Sequence, residues 1–140
     1  MTPQEHAQDI VESFEMFEDW DDRYAFLIDL ARKLPPYPEA ERNEDNFVRG
    51  CQSKVWVAAH VRPGTDVVDF DADSDAIITK GLVAMLHRIY SGQPAQAILD
   101  FDLEPTLKRI GLDQHLSPSR RNGLAGMIVR VRSLAADVAA

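Results

Sequence analysis

The chain has one cysteine in 140 residues, Cys51. A single thiol allows no intramolecular disulfide, and the expected setting is a reducing, cytoplasmic one. The close pairing of Cys or His residues that marks a zinc site is missing, so the pattern points to no metal centre. Positive charge is also scarce: 15 Lys and Arg stand against 23 Asp and Glu, a formal net charge of -8. That balance argues against the basic face a nucleic-acid-binding protein needs. No apolar run approaches the roughly 20 residues that span a bilayer. The opening "MTPQEHAQDI" is polar and acidic and predicts no cleavable leader. Neither a Walker loop nor a G-x-G-x-x-G is present. The spacing of Gly123 and Gly126 is a bare GxxG inside a helical pattern, where close helix packing is the plainer role.

What is there suits one domain, residues 1–140, large enough for one sizeable core. Hydrophobic content is 45% and charged content 27%, ordinary values for a globular protein. The negative charge is uneven. Residues 1–45 carry 13 acidic against 4 basic side chains, and the rest carry 10 against 11. The acidic excess reads first as a solvated surface and second as steering toward a basic partner.

Periodicity orders the chain. Thr2 and Pro3 open a helix whose apolar positions are Ile10, Val11, Phe14 and Phe17. A second helix is expected over Asp21 to Leu34, with Tyr24, Leu27, Ile28 and Ala31 inward, stopped by Pro35 and Pro36. Tyr37 to Asn46 reads as a charged surface loop, and Phe47-Val48 as a short strand. Lys54 to His60 alternates, with Val55, Val57 and Ala59 on one face and Lys54, Trp56 and His60 on the other. "RPGTD" is a turn, and Val67 to Asp71 the returning antiparallel strand. Asp73 or Ser74 is expected to cap a helix with a stripe from Ile77 to Tyr90. Short helices are predicted over Pro94 to Leu99 and Glu104 to Ile110, the second stopped by Gly111. A long one opens at Ser117-Pro118 and runs to about Val138. These elements predict an α+β fold: a small three-stranded antiparallel sheet with helices packed on one face.

Cys51 follows Gly50 at the mouth of a strand, where a loop thiol is accessible and glycine leaves room for an incoming group. Arg49 and Lys54 flank it and favour the thiolate, the reactive form. The competing reading is a buried small hydrophobe. A cysteine hydrolase would need a histidine base and an orienting group. His60, His87 and His115 are present, but no local pattern selects one. His87 sits in a mostly apolar helix and reads as a flank or core residue. Thiol exchange needs one accessible cysteine and a docking surface, and no base of its own.

The blocks "GCQSKVWVAAH", "FDADSDAIITKGLVAML" and "LDQHLSPSRRNGLAGMI", with "LPP" at Leu34 to Pro36, resemble the SufE/CsdE family of sulfur acceptors. The similarity covers roughly Ile10 to Leu134. It implies a SufE/IscU-like fold and a carrier role. A SufS-type cysteine desulfurase, which itself holds pyridoxal phosphate, would pass persulfide sulfur to Cys51. The carrier would stimulate that enzyme and deliver sulfur to the SufB-containing SufBCD complex for iron–sulfur cluster assembly. No cofactor or metal of its own is implied, and a homodimer is compatible with the resemblance. With one cysteine, the chain is not expected to assemble a cluster itself.

Around Cys51, the residues expected to shape its loop or meet a partner are Arg49, Gly50, Gln52, Ser53, Asp73, Ser74, Asp75, His115 and Arg120. Helix capping is the plainer role for Asp73, Ser74 and Asp75, and core packing for Trp56. The alternatives are a thiol-independent regulatory adaptor of a cysteine desulfurase, a CsdE-type partner of a CsdA-type desulfurase, and, much less well supported, a cysteine hydrolase. Inward packing of Cys51 in the free protein, as protection from oxidation, is a further expectation.

Overall fold

A computed structural model describes residues 1–49 and 53–140. The expectations for Gly50, Cys51 and Gln52, including the orientation of the thiol, fall outside the described residues.

Helix α1 (Pro3–Glu15) opens on a capping box. The Thr2 hydroxyl accepts from the Glu5 amide at 3.2 Å, and the Glu5 carboxylate accepts from the Thr2 amide at 3.0 Å. Helix α2 (Trp20–Lys33) is capped by Asp19, slightly earlier than expected, and ends before the two prolines. Two short 3-10 turns, Glu39–Glu41 and Glu44–Asn46, occupy the predicted charged loop. Phe47 makes an isolated bridge to Trp56 instead of a strand of its own.

Strands β1 (Val55–Val61) and β2 (Val67–Ser74) form an antiparallel hairpin in register from Val55 opposite Ser74 to Val61 opposite Val68. Gly64 takes φ 77° in the turn, a left-handed conformation glycine adopts without steric cost. The third strand, β3 (Gln93–Pro94), pairs with Val67 and Val68 of β2. Among the described residues the sheet has three strands, the number the sequence predicts, in the order β1-β2-β3. Its third member lies after the long helix, however, where two residues carry no readable alternation.

Helix α3 (Ile77–Tyr90) packs on β2, and α7 (Pro118–Ala139) packs on β1. Between them lie Val57, Phe70, Ala72, Val83, Leu86, Met127 and Val131, a closely filled apolar layer. Ile77, placed in the inward stripe by sequence, is 49% exposed on the first turn. Helices α4 (Ala95–Asp100), α5 (Glu104–Ile110) and α6 (Leu112–His115) close the far end. Gly111 ends α5 at φ 92°, as read from its position. The Arg132 guanidinium donates to the carbonyls of Leu99 and Phe101 at 2.9 Å and satisfies the C-terminus of α4.

The tightest crossing is α2 on α3. A Cβ on Gly81 would lie 2.5 Å from the Leu27 carbonyl oxygen, so only glycine fits. The sheet's outer face carries Trp56, Ala58 and His60 opposite Asp73, Asp71 and Asp69. The segment 37–47 runs across this face and hides part of it from water. Trp56 therefore packs outside the helical core, edge-on to Phe47 and beneath the Arg42 guanidinium.

Candidate functional site

The chain on either side of the Gly50–Gln52 segment is held by the hairpin and by α3. Before it, the Val48 amide donates to the Val55 carbonyl at 2.8 Å, extending the pairing begun by Phe47 and Trp56. After it, the Lys54 amide donates to Asp75 Oδ1 at 2.9 Å, and the Asp75 amide donates to the Lys54 carbonyl at 3.2 Å. The Thr79 hydroxyl donates to Ser53 Oγ at 3.4 Å. Arg49 is exposed and pairs with Glu44 at 2.8 Å.

These contacts revise the capping expectation. The N-cap of α3 is Ala76, with no side-chain cap. Ser74 Oγ accepts instead from the Ala76 amide at 3.3 Å in a short turn. Asp75 serves β1. Asp73 binds Arg42 Nη2 at 2.9 Å and Lys80 Nζ at 3.3 Å. Burial works against its charge, but the hydrogen bond from Arg42, assisted by Lys80, holds its carboxyl below the ordinary range.

Ser53 opens onto a cleft of about 320 Å³ that it shares with Thr79, Leu82, Ser117, Ser119, Arg120, Gly123 and Met127. Four hydroxyl-bearing residues and Arg120 line it together with the apolar Leu82 and Met127. Arg120 reaches the cleft because Ser117 caps α7, accepting from the Arg120 amide at 3.3 Å, and Pro118 starts the helix. The cleft can offer O–H and N–H donors to a small anionic or thiolate group. Ser53 and Arg120, both singled out from sequence, line it together. Asp75 stands one contact away, through Lys54.

His115 is not among the residues that line this cleft. Its ring stacks on Trp20 at 4.0 Å, and its carbonyl accepts from the Tyr24 hydroxyl at 2.7 Å, so it ties α6 to α2. Thr79, Ser117 and Ser119 are cleft residues that sequence reasoning passed over. A threonine between the apolar positions of α3 was the one available signal. Nothing local marked Arg42, whose partners include Asp73 on β2 and Trp56 on β1.

Comparison with known proteins then decides the family. The family model described as SufE, Fe-S metabolism associated domain, matches residues 8–135. The chain belongs to the SufE family. It is 41% identical over 125 residues to an uncharacterized SufE-like protein of Rhizobium etli, covering 88% of this chain and 84% of that one. A second uncharacterized SufE-like protein, from Rhizobium meliloti, is 40% identical over 126 residues, covering 89% and 90%. In structure it is similar to a hypothetical protein from Thermus thermophilus solved in solution. The TM-score is 0.78, with 99% of this chain and 97% of that one covered, at 23% identity, so this likeness speaks for the SufE-like α+β fold alone. The chain is thus a member of a sulfur-acceptor family tied to iron–sulfur metabolism and cysteine desulfurases. Among the described residues, no helix is long and apolar enough to cross a membrane.

Proposed function

We propose that the protein is a sulfur carrier whose Cys51 accepts sulfur from a SufS-type cysteine desulfurase. The observation that carries this reading is the family match over residues 8–135, which contains the chain's single cysteine in its Gly-Cys block. The Cys51 thiolate attacks the terminal sulfur of the persulfide on the desulfurase. A new S–S bond forms at Cys51, and the old one breaks. The desulfurase cysteine leaves as a thiolate and takes a proton, so no external oxidant or reductant enters. The loaded carrier then passes its sulfur to the SufB-containing complex.

The braced residues on either side of the Gly50–Gln52 segment support this role, since group transfer gains from a nucleophile held at a defined place. The cleft beside Ser53, with Arg120 and three further hydroxyls, supports the arrival of an anionic sulfur group. Arg49, Asp73, Ser74 and His115 take the smaller part of shaping the surroundings or the partner face. The chain acts as one unit, since one apolar core joins the sheet to residues of all its long helices. Pyridoxal phosphate belongs to the desulfurase, and draining the enzyme's persulfide stimulates turnover.

Intact-protein mass spectrometry tests the proposal. The chain is mixed with a SufS-type desulfurase, pyridoxal phosphate and L-cysteine, with C51S alongside. Addition of one sulfur atom to the parent and none to C51S is the expected result. If C51S still stimulates sulfide release fully, and the parent gains no sulfur, the protein is a thiol-independent adaptor and the carrier reading fails.

A further inference from the structure

On the sheet's outer face, three potential metal ligands from three separate elements meet at one point. His60 Nε2 of β1 lies 2.8 Å from Glu41 Oε1 of the first 3-10 turn and 3.0 Å from Asp71 Oδ2 of β2. One donor atom from each residue falls within 4.8 Å of the others. In sequence the ligands stand 19 and 11 residues from His60, so no short-range motif announces them.

The fold accounts for the position of each ligand. The Glu41 backbone is pinned from two sides, its carbonyl accepting from the Tyr37 hydroxyl and from Asn46 Nδ2, each at 2.9 Å. Asp71 and His60 share a face because β1 and β2 pair Ala58 with Asp71 and His60 with Asp69. Ala58 stands opposite Asp71 and two residues before His60 on the same face. The neighbouring cation, Arg42, is turned away to Asp73 and Glu39. Two carboxylates are therefore left addressing one imidazole nitrogen.

We propose that Glu41, His60 and Asp71 form a site for a divalent first-row transition-metal ion that clasps the 37–47 segment to the β1–β2 hairpin. One imidazole nitrogen with two carboxylate oxygens suits zinc, iron(II) or cobalt(II), and the nitrogen disfavours magnesium and calcium. The geometry needs little adjustment. With metal–ligand bonds of about 2.1 Å, the gaps from His60 Nε2 to the two carboxylates subtend roughly right angles, as between neighbouring ligands of an octahedron. Opening them by about half an ångström reaches tetrahedral spacing. The His60 side chain is 55% exposed, so the remaining coordination positions face water. The ion replaces the proton that His60 Nε2 otherwise shares with the carboxylates, and no redox change accompanies binding. The clasp joins the hairpin to the stretch of chain that runs directly into Gly50 and Cys51.

The test uses the full chain carrying C51S, so that no thiolate competes for metal. Zinc chloride is titrated by calorimetry, with cobalt(II) absorption as a second readout and magnesium as a control. One zinc per chain is expected. Loss of outer-shell partners alone costs metal sites about 10–100-fold. H60Q, with a mostly exposed side chain, should therefore bind more than about 100-fold more weakly, and D71N likewise. E18Q, an exposed carboxylate outside the 37–47 segment, should bind as the parent does. Amide exchange at Asn46 and Phe47 should slow on zinc addition in the parent and not in H60Q. Equal uptake by H60Q and the parent, or no saturable uptake by the parent, overturns the site. Binding without slowed exchange overturns the clasp. None of these outcomes depends on sulfur transfer.

Discussion

Lys54 and Asp75 exchange two hydrogen bonds: the Lys54 amide donates to the Asp75 carboxylate at 2.9 Å, and the Asp75 amide returns one to the Lys54 carbonyl at 3.2 Å. The pair locks the entrance of β1 to the turn before α3. It therefore sets where the chain emerges from the Gly50–Gln52 segment. Asp75→Ala removes one acceptor and should cost about 0.5–1.5 kcal/mol in urea denaturation. Asp75→Asn keeps a carbonyl oxygen and should recover most of that loss. Sulfur uptake from the desulfurase should slow in D75A and return in D75N. Thr2→Ala, which costs about 0.5–2 kcal/mol at the remote α1 cap, should leave uptake unchanged. Equal slowing in T2A would reduce the role of Asp75 to general stability.

Arg42 joins three groups on the outer face. It binds Asp73 at 2.9 Å and lies 4.7 Å from the Trp56 ring centre and 5.1 Å from that of Tyr37. Removing it exposes Trp56 and leaves the largely buried Asp73 with Lys80 as its remaining cation among the described residues. R42A should lose about 1–3 kcal/mol and shift Trp56 fluorescence to longer wavelength, read in a W20F background. R42K should rescue little, because an ammonium neither stacks flat on the ring nor presents a planar fork.

Gly81→Ala separates helix propensity from packing. Propensity alone would favour alanine by about 1 kcal/mol. The added methyl would meet the Leu27 carbonyl at 2.5 Å, and that oxygen belongs to helix backbone that cannot rotate away. Destabilisation of about 1–3 kcal/mol is expected by thermal or urea unfolding. Stabilisation would mean that α2 and α3 do not cross this closely.

His87 predicts a pH dependence. Burial drives its proton affinity below the ordinary value, against a weaker opposing pull from the Phe70 backbone, Asp71 and Asp69. In the unfolded chain it titrates near about 6.5. Its neutral form is therefore compatible with full stability above that value. As pH falls through it, the unfolded state takes up the proton first and stability declines, until the folded pKa is passed. H87Q should flatten this part of the stability profile between neutral and mildly acidic pH. An unchanged slope in H87Q would assign the acid sensitivity elsewhere.

The sequence alone determined the elements whose causes are local. Thr2 and Glu5 cap α1 across three residues, Pro35 and Pro36 stop α2, and Gly111 ends α5. The alternation of Val68 and Phe70 with Asp69 and Asp71 declares a strand with one dry face, which in the structure runs on to Ser74 through residues expected as helix caps. The three family blocks, with one cysteine among them, were legible for the same reason: each is a contiguous run of residues.

Tertiary structure decided everything that depends on which distant residues meet. Val67 and Val68 choose Gln93 and Pro94 as the third strand, though two residues carry no period of their own. Asp75 turns to Lys54, 21 residues away, rather than to the helix beside it, because an unpaired amide at the strand entrance needs an acceptor. Ser53, Thr79 and Arg120 share a cleft because α3 and α7 both pack against the sheet, and His115 is drawn off to Trp20. Glu41, His60 and Asp71 converge only through strand register and the path of the 37–47 segment. Side-chain identity sets what each residue can do. The packed fold, through burial and the pairing of backbone groups, selects the partner with which it does it.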